Sequence, residues 1–301
     1  MEHSASIPHN IKLKIHTVKG ENIMSFFEKT LQIFDAKMQR PDAWGWFHLL
    51  FWSITIVTAV LLCVFHRKDK PERVRKVVLT VAVVVTLLEI YKQINFSFGS
   101  GTTFDYQWYA FPFQFCSTPM YIGLLAGMIR KGKIHDAFCA YLATYAMFAG
   151  MITMCIPNDI YTSTIGINIQ TSVCHGSMIT VAIYLFYSGH VKLQHKTILK
   201  AMPVFASAMG IAMILNEIAY RSGLEENFNM FYISPHQPPH LLVYSDIQKV
   251  VPFPFCTVIY FLGFTLAAYL VLLAAIGISK LFALCIKKKT GHESKPAVQM
   301  N

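Results

Sequence analysis

Long apolar runs alternate with short polar connections along most of the chain. Each run has close to the ~20 residues that an α-helix needs to cross the hydrocarbon core of a bilayer. Their number predicts an all-α, polytopic membrane protein built as a bundle of seven transmembrane helices. The seven runs lie near Trp46–Phe65, Val74–Phe96, Pro112–Ile129, Ala137–Ile156, Ile169–Tyr187, Ile198–Tyr220 and Phe253–Ser279.

Composition agrees with a membrane location. Hydrophobic residues make up 54% of the 301 residues and charged residues only 14%, whereas soluble domains carry about 25% charged residues. We expect one membrane domain over residues 44–279. It would lie between a polar N-terminal arm, residues 1–43, and a basic C-terminal tail, residues 280–301. The arm lacks the apolar core and the small-residue cleavage site of a signal peptide.

Lysine and arginine cluster in alternate connections. The basic segments are 67–76, 130–133, 192–200 and the chain after residue 280, whereas residues 158–170 contain no Lys or Arg. This positive-inside pattern predicts an N-terminus outside and a C-terminus in the cytoplasm, in a cell membrane. The N-terminal arm, with six Lys and Arg, is the one conflict. The net charge of +10 thus indicates membrane lipids rather than nucleic acid as partners. The oligomeric state stays open.

Polar residues inside the apolar runs collect near one end of the bundle. Such residues are costly in hydrocarbon and usually face the interior of a bundle. With the predicted orientation and a rise of about 1.5 Å per residue, they fall in one layer of roughly 10 Å. The sequence therefore predicts a polar pocket in the outer half of the bilayer. Its members are Glu89, Lys92, Gln114, Cys116, His175, Asn216 and Glu217.

Each member of this layer also has a purely structural interpretation. Glu89 and Lys92, three residues apart on one helix, can simply neutralise each other. Asn216 and Glu217 can tie helices together by hydrogen bonds. Cys116 and His175 alone would be a small apolar residue and an interhelical histidine. Together they are the parts of a Cys–His nucleophile pair, in which the imidazole takes the thiol proton.

Two further patterns concern packing and metals. Small-xxx-small spacing predicts close helix contacts at Gly123 and Gly127, Ala146 and Gly150, and Ala206 and Gly210. The seven cysteines include no CxxC pair. His236 and His240 are four residues apart, but the intervening Pro238 and Pro239 prevent a helix that would align them as ligands. We therefore predict no metal, no cofactor and no disulfide framework.

The chain resembles a known family at five short motifs. These are WGWFHLLF in the first run, the Glu89-bearing second run, FPFQFC at the start of the third, HG in the fifth, and NMFYISP followed by VPFPFCTVIYFL before the last. They resemble the YwaF family of bacterial integral membrane proteins, which is related to the transmembrane protein 164 family. The resemblance covers roughly residues 43–279 and implies a seven-span bundle.

The resemblance also implies an activity. Eukaryotic relatives are similar to lipid acyltransferases that use a Cys and a His, which match Cys116 and His175. Asn229 and His48 match an Asn and a His of the family's motifs. Bacterial members commonly have LHLC where this chain has FQFC, so Gln114 replaces a His.

Three hypotheses follow. The first is a Cys/His-dependent phospholipid acyltransferase that acts in the outer half of the bilayer, in which Asn229 or Gln114 donates hydrogen bonds to the oxyanion. The second is a non-enzymatic carrier or receptor that binds a small polar solute or a lipid in the outer-half pocket through Glu89, Lys92, His175 and Glu217. The third is a structural membrane subunit. Enzyme status, lipid class and acyl length stay open.

Overall fold

A computed structural model gives the fold of the chain. It describes residues 35–65, 70–98, 104–157, 160–224, 228–237 and 242–293. Most of the predicted N-terminal arm, the end of the basic tail, part of the first basic connection and His240 lie outside these residues. Most of the described residues are helical, and the helices form one bundle.

Nine α-helices follow one another in the described residues. Five single helices, and one pair of consecutive helices taken together, are long and apolar enough to cross a membrane, which gives six candidate spans. The helices are α1 Trp46–Phe65, α2 Pro71–Phe98, α3 Thr118–Met128, α4 Lys133–Ala143, α5 Tyr145–Cys155, α6 Ile165–Tyr187, α7 Thr197–Arg221, α8 Leu242–Val250 and α9 Phe253–Glu293.

The third predicted span differs from the expectation. Only Thr118–Met128 is helical there, and 11 residues of helix reach about 16 Å, half of a bilayer core. The six long candidates confirm six of the seven predicted spans, and the count of seven is not confirmed. The preceding residues form turns in which Ser117 N donates to the Gln114 carbonyl at 2.8 Å.

The chain from Ala110 through α3 nevertheless runs antiparallel along α2. Gln93 Nε2, near the end of α2, donates to the Ala110 carbonyl at 2.7 Å. Arg75 Nη1, near its start, donates to the Gly127 carbonyl at 3.0 Å. Residues 75 to 93 of a helix correspond to about 27 Å. The irregular segment and α3 together therefore follow about two thirds of the length of α2.

The fourth predicted span is a broken helix. Thr144 separates α4 from α5 with a non-helical φ of −124° and ψ of −75°. Its hydroxyl donates to the Ala140 carbonyl at 2.7 Å, which gives the side chain a partner inside the bundle. The two pieces together span Lys133–Cys155.

Glycines confirm two of the three predicted close contacts between helices. A Cβ on Gly127 would lie 2.5 Å from Leu79 Cβ of α2, and one on Gly150 would lie 2.7 Å from the His175 carbonyl of α6. Gly176 approaches α1 so closely that a Cβ would overlap Thr55 Oγ1. The third prediction is wrong, because a Cβ on Gly210 would meet nothing within 4 Å. That face of α7 is not a close helix contact.

The segment from Phe228 to Ser234 forms a buried turn inside the bundle. Met230 and Phe231 are fully buried, at 0% exposure. Phe231 and Tyr232 have φ of 60° and 56°, a region that non-glycine residues rarely occupy. Such a conformation persists only where the surroundings impose it. We call residues 228–234 the inner turn.

Candidate functional site

A buried ion pair forms the centre of the predicted polar layer. Glu89 Oε1 and Lys92 Nζ of α2 lie 2.8 Å apart, and Glu89 is only 7% exposed. Gln93 Nε2 donates to the same oxygen at 2.8 Å, and Gln170 Nε2 of α6 lies 3.5 Å from the other. The predicted pairing of Glu89 with Lys92 is thus confirmed, and two amides complete its hydrogen bonding.

Cys116 lies two residues before the first residue of α3, in the turn that starts at Gln114. The N-terminus of a helix carries partial positive charge and stabilises a thiolate. Cys116 is within electrostatic reach of Lys92 and Glu89, and so is Cys174 of α6. The thiol therefore belongs to the surroundings of the buried ion pair.

His175 lies on α6 beside Cys174 and is 9% exposed. Its Nδ1 lies 2.8 Å from the Thr171 carbonyl. A carbonyl only accepts, so Nδ1 carries the proton and Nε2 is left as an acceptor. Lys92 is within electrostatic reach of His175, as it is of Cys116. Among the described residues no hydrogen bond joins Cys116 to His175, so their direct contact stays a prediction.

Gln114 and Asn229 connect the Cys116 turn to the inner turn. Gln114 Nε2 donates to the Asn229 carbonyl at 2.9 Å, and Phe231 N donates to Gln114 Oε1 at 2.9 Å. Asn229 Oδ1 accepts from Ser234 N at 2.9 Å. Asn229 Nδ2, by contrast, is buried and has no hydrogen-bond partner among the residues that the structure describes. One donor close to the FPFQFC segment is therefore unused.

Asn216 has a structural role in the bundle. Its Nδ2 donates to the Met230 carbonyl at 3.0 Å, and its Oδ1 accepts from Met230 N at 2.6 Å. Both ends of the side-chain amide therefore bind the inner turn. Tyr260 OH of α9 supports the same turn by donating to the Phe231 carbonyl at 2.9 Å.

Two other predicted members lie in different surroundings. Glu217 is 41% exposed and pairs with Arg221 Nε at 2.6 Å and with His236 Nε2 at 2.9 Å. His48 is fully buried, and Trp44 N donates to its Nδ1 at 2.9 Å. His48 Nε2 donates to the Met154 carbonyl at 2.8 Å. Both ring nitrogens of His48 are therefore used, and Nε2 joins α1 to α5.

Comparison with known proteins identifies the family. The TMEM164 family model matches residues 43–278, more than three quarters of the 301 residues. The chain belongs to the TMEM164 family. This confirms the resemblance inferred from the motifs. Neither the curated proteins nor the solved structures give a match. Its membership of this family and its six apolar helices indicate that the chain is an integral membrane protein.

A small apolar cleft of about 30 Å³ lies next to the site of this TMEM164 family member. It is bounded by α2, α3, α4, α5 and α6. One end includes Cys174, the neighbour of His175, and Pro119 and Met120, one turn beyond Cys116. The cleft is well below the size of ligand pockets in proteins, so an acyl chain would enter only if these helices move apart.

Several residues of the site were not predicted from the sequence. Gln93 links the ion pair to Tyr106, whose OH donates to Gln93 Oε1 at 2.9 Å. Gln170 Nε2 lies 3.4 Å from Cys174 Sγ and thereby joins the ion pair to α6. Their helical spacing could have indicated these contacts, because Gln93 is four residues after Glu89 and Gln170 is four residues before Cys174.

Proposed function

We propose that this chain is a phospholipid acyltransferase in which Cys116 is the nucleophile and His175 the general base and acid. The observation that carries the proposal is that segments bonded to one buried ion pair carry both residues. Gln170 lies between Glu89 and Cys174, the neighbour of His175. Gln93 joins Glu89 to the carbonyl of Ala110, six residues before Cys116. The family's resemblance to lipid acyltransferases with a Cys and a His points to the same pair.

The proposed reaction has two halves. His175 Nε2 takes the thiol proton, and Cys116 Sγ attacks the carbonyl carbon of a donor phospholipid ester. The ester C–O bond breaks, His175 protonates the leaving alkoxide, and a lysophospholipid departs from the thioester. In the second half, His175 deprotonates the hydroxyl of an acceptor lysophospholipid, which attacks the thioester. The new ester leaves and the thiol is regenerated, with no co-reactant.

Asn229 is the proposed oxyanion donor. Its Nδ2 is buried and has no partner, and such a donor costs free energy unless something accepts from it. The oxygen that becomes negative during attack on the ester would accept this hydrogen bond. Gln114 has a different proposed role, because both ends of its amide already bind the inner turn. It positions Asn229 relative to Cys116.

The membrane topology of the proposal has seven crossings. The 27 Å that the segment from Ala110 to Gly127 follows along α2 is close to the ~30 Å core of a bilayer. Irregular backbone at membrane depth is tolerated where protein buries it. A crossing there also brings all four basic segments to one side. The N-terminus is then outside, the C-terminus cytoplasmic, and the membrane is the cell membrane.

Acyl exchange with purified protein tests the proposal. The full chain in vesicles receives a phospholipid with a labelled acyl chain and an unlabelled lysophospholipid. We expect label in a new phospholipid and an acyl group on Cys116 that hydroxylamine removes. Cys116→Ala and His175→Ala should lack both signals, while Cys155→Ala, a change at a half-buried cysteine on α5, keeps them. Transfer by Cys116→Ala at the rate of the unmodified chain would refute the assignment.

A carrier or receptor is the second candidate function. The observation that favours it is the buried Glu89–Lys92 pair with its two glutamines, because ionisable groups within spans often bind solutes or relay protons. In that case Cys116→Ala would leave function intact, whereas Glu89→Gln would abolish binding. Binding of labelled lipid and solute to these two variants separates the hypotheses.

A further inference from the structure

A second cluster of chemically reactive side chains lies at the other end of α3, beside the basic connections. His135 and Cys139 are one turn apart on α4, and His190 comes from the connection between α6 and α7. The ring nitrogens of the two histidines and Cys139 Sγ all lie within 4.8 Å of one another. His135 and Cys139 are 3% and 2% exposed, whereas His190 is half-buried.

The hydrogen bonds of His135 orient it as a ligand. Its Nδ1 donates to the Ala126 carbonyl at 3.1 Å, so Nε2 carries a lone pair that faces the cluster. His190 Nε2 lies 2.8 Å from this atom and Cys139 Sγ lies 3.5 Å from it. Histidines that bind metals usually donate the other ring N–H to a carbonyl or a carboxylate. His135 already has this arrangement.

The spacing of the three atoms is close to that of a tetrahedral site. With metal–nitrogen bonds of about 2.05 Å and a metal–sulfur bond of about 2.3 Å, ligand nitrogens are about 3.3 Å apart and sulfur is about 3.6 Å from each. The distance from Cys139 Sγ to His135 Nε2, 3.5 Å, already fits, and His190 lies within 4.8 Å of both. The two nitrogens must separate by about 0.5 Å, which a side-chain rotation of the half-buried His190 can supply.

We propose that His135, Cys139 and His190 bind one divalent transition-metal ion of the zinc class. Two imidazoles and one thiolate are ligands that zinc prefers. The Cys139 thiol releases its proton to solvent on binding, and His190 moves its proton to Nδ1 so that Nε2 binds. A water molecule or another ligand completes the site. Metal binding couples to folding, so the ion would clamp α4 to the connection between α6 and α7.

Both signs of charge lie around the cluster. The neighbouring connections are basic, whereas Asp136 follows His135 on α4 and pairs only loosely with Lys200, at 3.8 Å. The ion would therefore meet two imidazole rings, a thiolate and a nearby carboxylate.

Spectroscopic titration with cobalt tests this site without reference to acyl transfer. The full chain in detergent is freed of metal with a chelator and titrated with Co²⁺, whose tetrahedral thiolate complexes absorb strongly. We expect saturation at one equivalent, a sulfur-to-cobalt charge-transfer band, and displacement by Zn²⁺. Cys139→Ser should lose that band. His190→Gln should weaken binding by at least about 10-fold, since even the loss of an outer-shell partner costs 10- to 100-fold.

Two matched variants control for adventitious binding. His195→Gln removes an exposed histidine of the same connection, and Cys155→Ser removes another cysteine of the bundle; both should keep the full signal. Thermal unfolding should shift upward with Zn²⁺ for these controls and stay constant for His190→Gln. Equal cobalt spectra for all four variants, or no saturation at one equivalent, would overturn the metal site. The His135–His190 contact would then be a hydrogen bond only.

Discussion

From sequence alone, Cys116 can be read either as a reactive thiol or as a packing residue. The structure adds the start of α3 two residues later and the buried Glu89–Lys92 pair within electrostatic reach. A thiolate is the nucleophilic form of cysteine. The positive end of α3 and Lys92 favour a thiolate, whereas Glu89 opposes it, so a reactive Cys116 needs a base to take its proton.

We expect Cys116→Ser to reduce acyl transfer by about 100-fold or more while the fold is retained. Serine differs little in volume, but its hydroxyl is a much weaker nucleophile and depends more on the base. Acyl-transfer rate and thermal unfolding, measured on the same preparation, separate the two effects. His175→Ala should also slow iodoacetamide labelling of Cys116, because the thiolate fraction falls. If Cys116 labels no faster than Cys63 or Cys155 and the His175 change has no effect, Cys116 is a packing residue.

The buried ion pair gives a second prediction at this scale. Glu89→Gln and Lys92→Met should each destabilise the fold more than the double variant does, because each leaves the other charge unpaired. Breaking a buried pair costs about 3–5 kcal/mol in the harshest case. Thermal unfolding in detergent measures the coupling.

Asp246 and Lys249 supply the matched control for the ion pair. They have the same i,i+3 spacing and the same 2.8 Å distance, but their side chains are 77% and 72% exposed. Exposed pairs contribute at most about 1 kcal/mol, so Asp246→Asn and Lys249→Met should have little effect. Additive losses for Glu89 and Lys92 would show that the two do not act as a pair.

The sequence predicted contacts between residues that are close together on one helix, but not contacts between residues that are far apart in the chain. Glu89 and Lys92 are three apart on one helix, so their contact follows from helix geometry. Gln114 and Asn229 are joined across 115 positions, and His135 and His190 across 55. No periodicity links such pairs, because tertiary folding alone brings them together. The sequence therefore predicted the local contact of Glu89 with Lys92, but not which polar residues hold the inner turn.

At the scale of helices, α3 shows why hydropathy overestimated one element. Residues from Phe111 to Ser117 are mostly apolar, so the window extends the run to nearly 20 residues. Pro112 has no N–H and disfavours a helical conformation at the residue before it. The chain forms turns there, and Pro119 then occupies the first turn of α3, where a missing N–H costs nothing. The hydrophobicity of residues 111–117 predicted that they lie in the bundle, but it did not predict that their backbone forms turns instead of a helix.

Glycine substitutions test the helix contacts. A Cβ on Gly127 would lie 2.9 Å from Leu79 Cα, a backbone atom that moves only with α2. We expect Gly127→Ala to destabilise the protein by about 1–3 kcal/mol through overpacking. Gly210→Ala is the matched control, because its Cβ meets nothing and alanine gains about 0.5–1 kcal/mol over glycine within a helix. Thermal unfolding of the two variants should shift in opposite directions, and a neutral Gly127→Ala would contradict the α2–α3 contact.

At the scale of the whole molecule, the open choice is whether the chain crosses the membrane at α3. With this crossing, the connections around Glu72, Lys131 and Ser188 share one side and Asp105 lies on the other. Without it, Lys131 and Asp105 share a side, and the basic segments divide between the two faces. The cost of a disrupted positive-inside pattern favours the crossing, as does the length of the segment along α2.

Single cysteines introduced at these positions decide the topology. We expect Glu72→Cys, Lys131→Cys and Ser188→Cys to react with a membrane-impermeant maleimide only after cells are opened, and Asp105→Cys to react in intact cells. The unmodified chain sets the background from native cysteines. Labelling of Lys131→Cys together with Asp105→Cys in intact cells, with Glu72→Cys protected, would show that α3 returns to the side it came from. Cys116 would then approach the lipid from a re-entrant segment, and the proposed seven-crossing topology would be wrong.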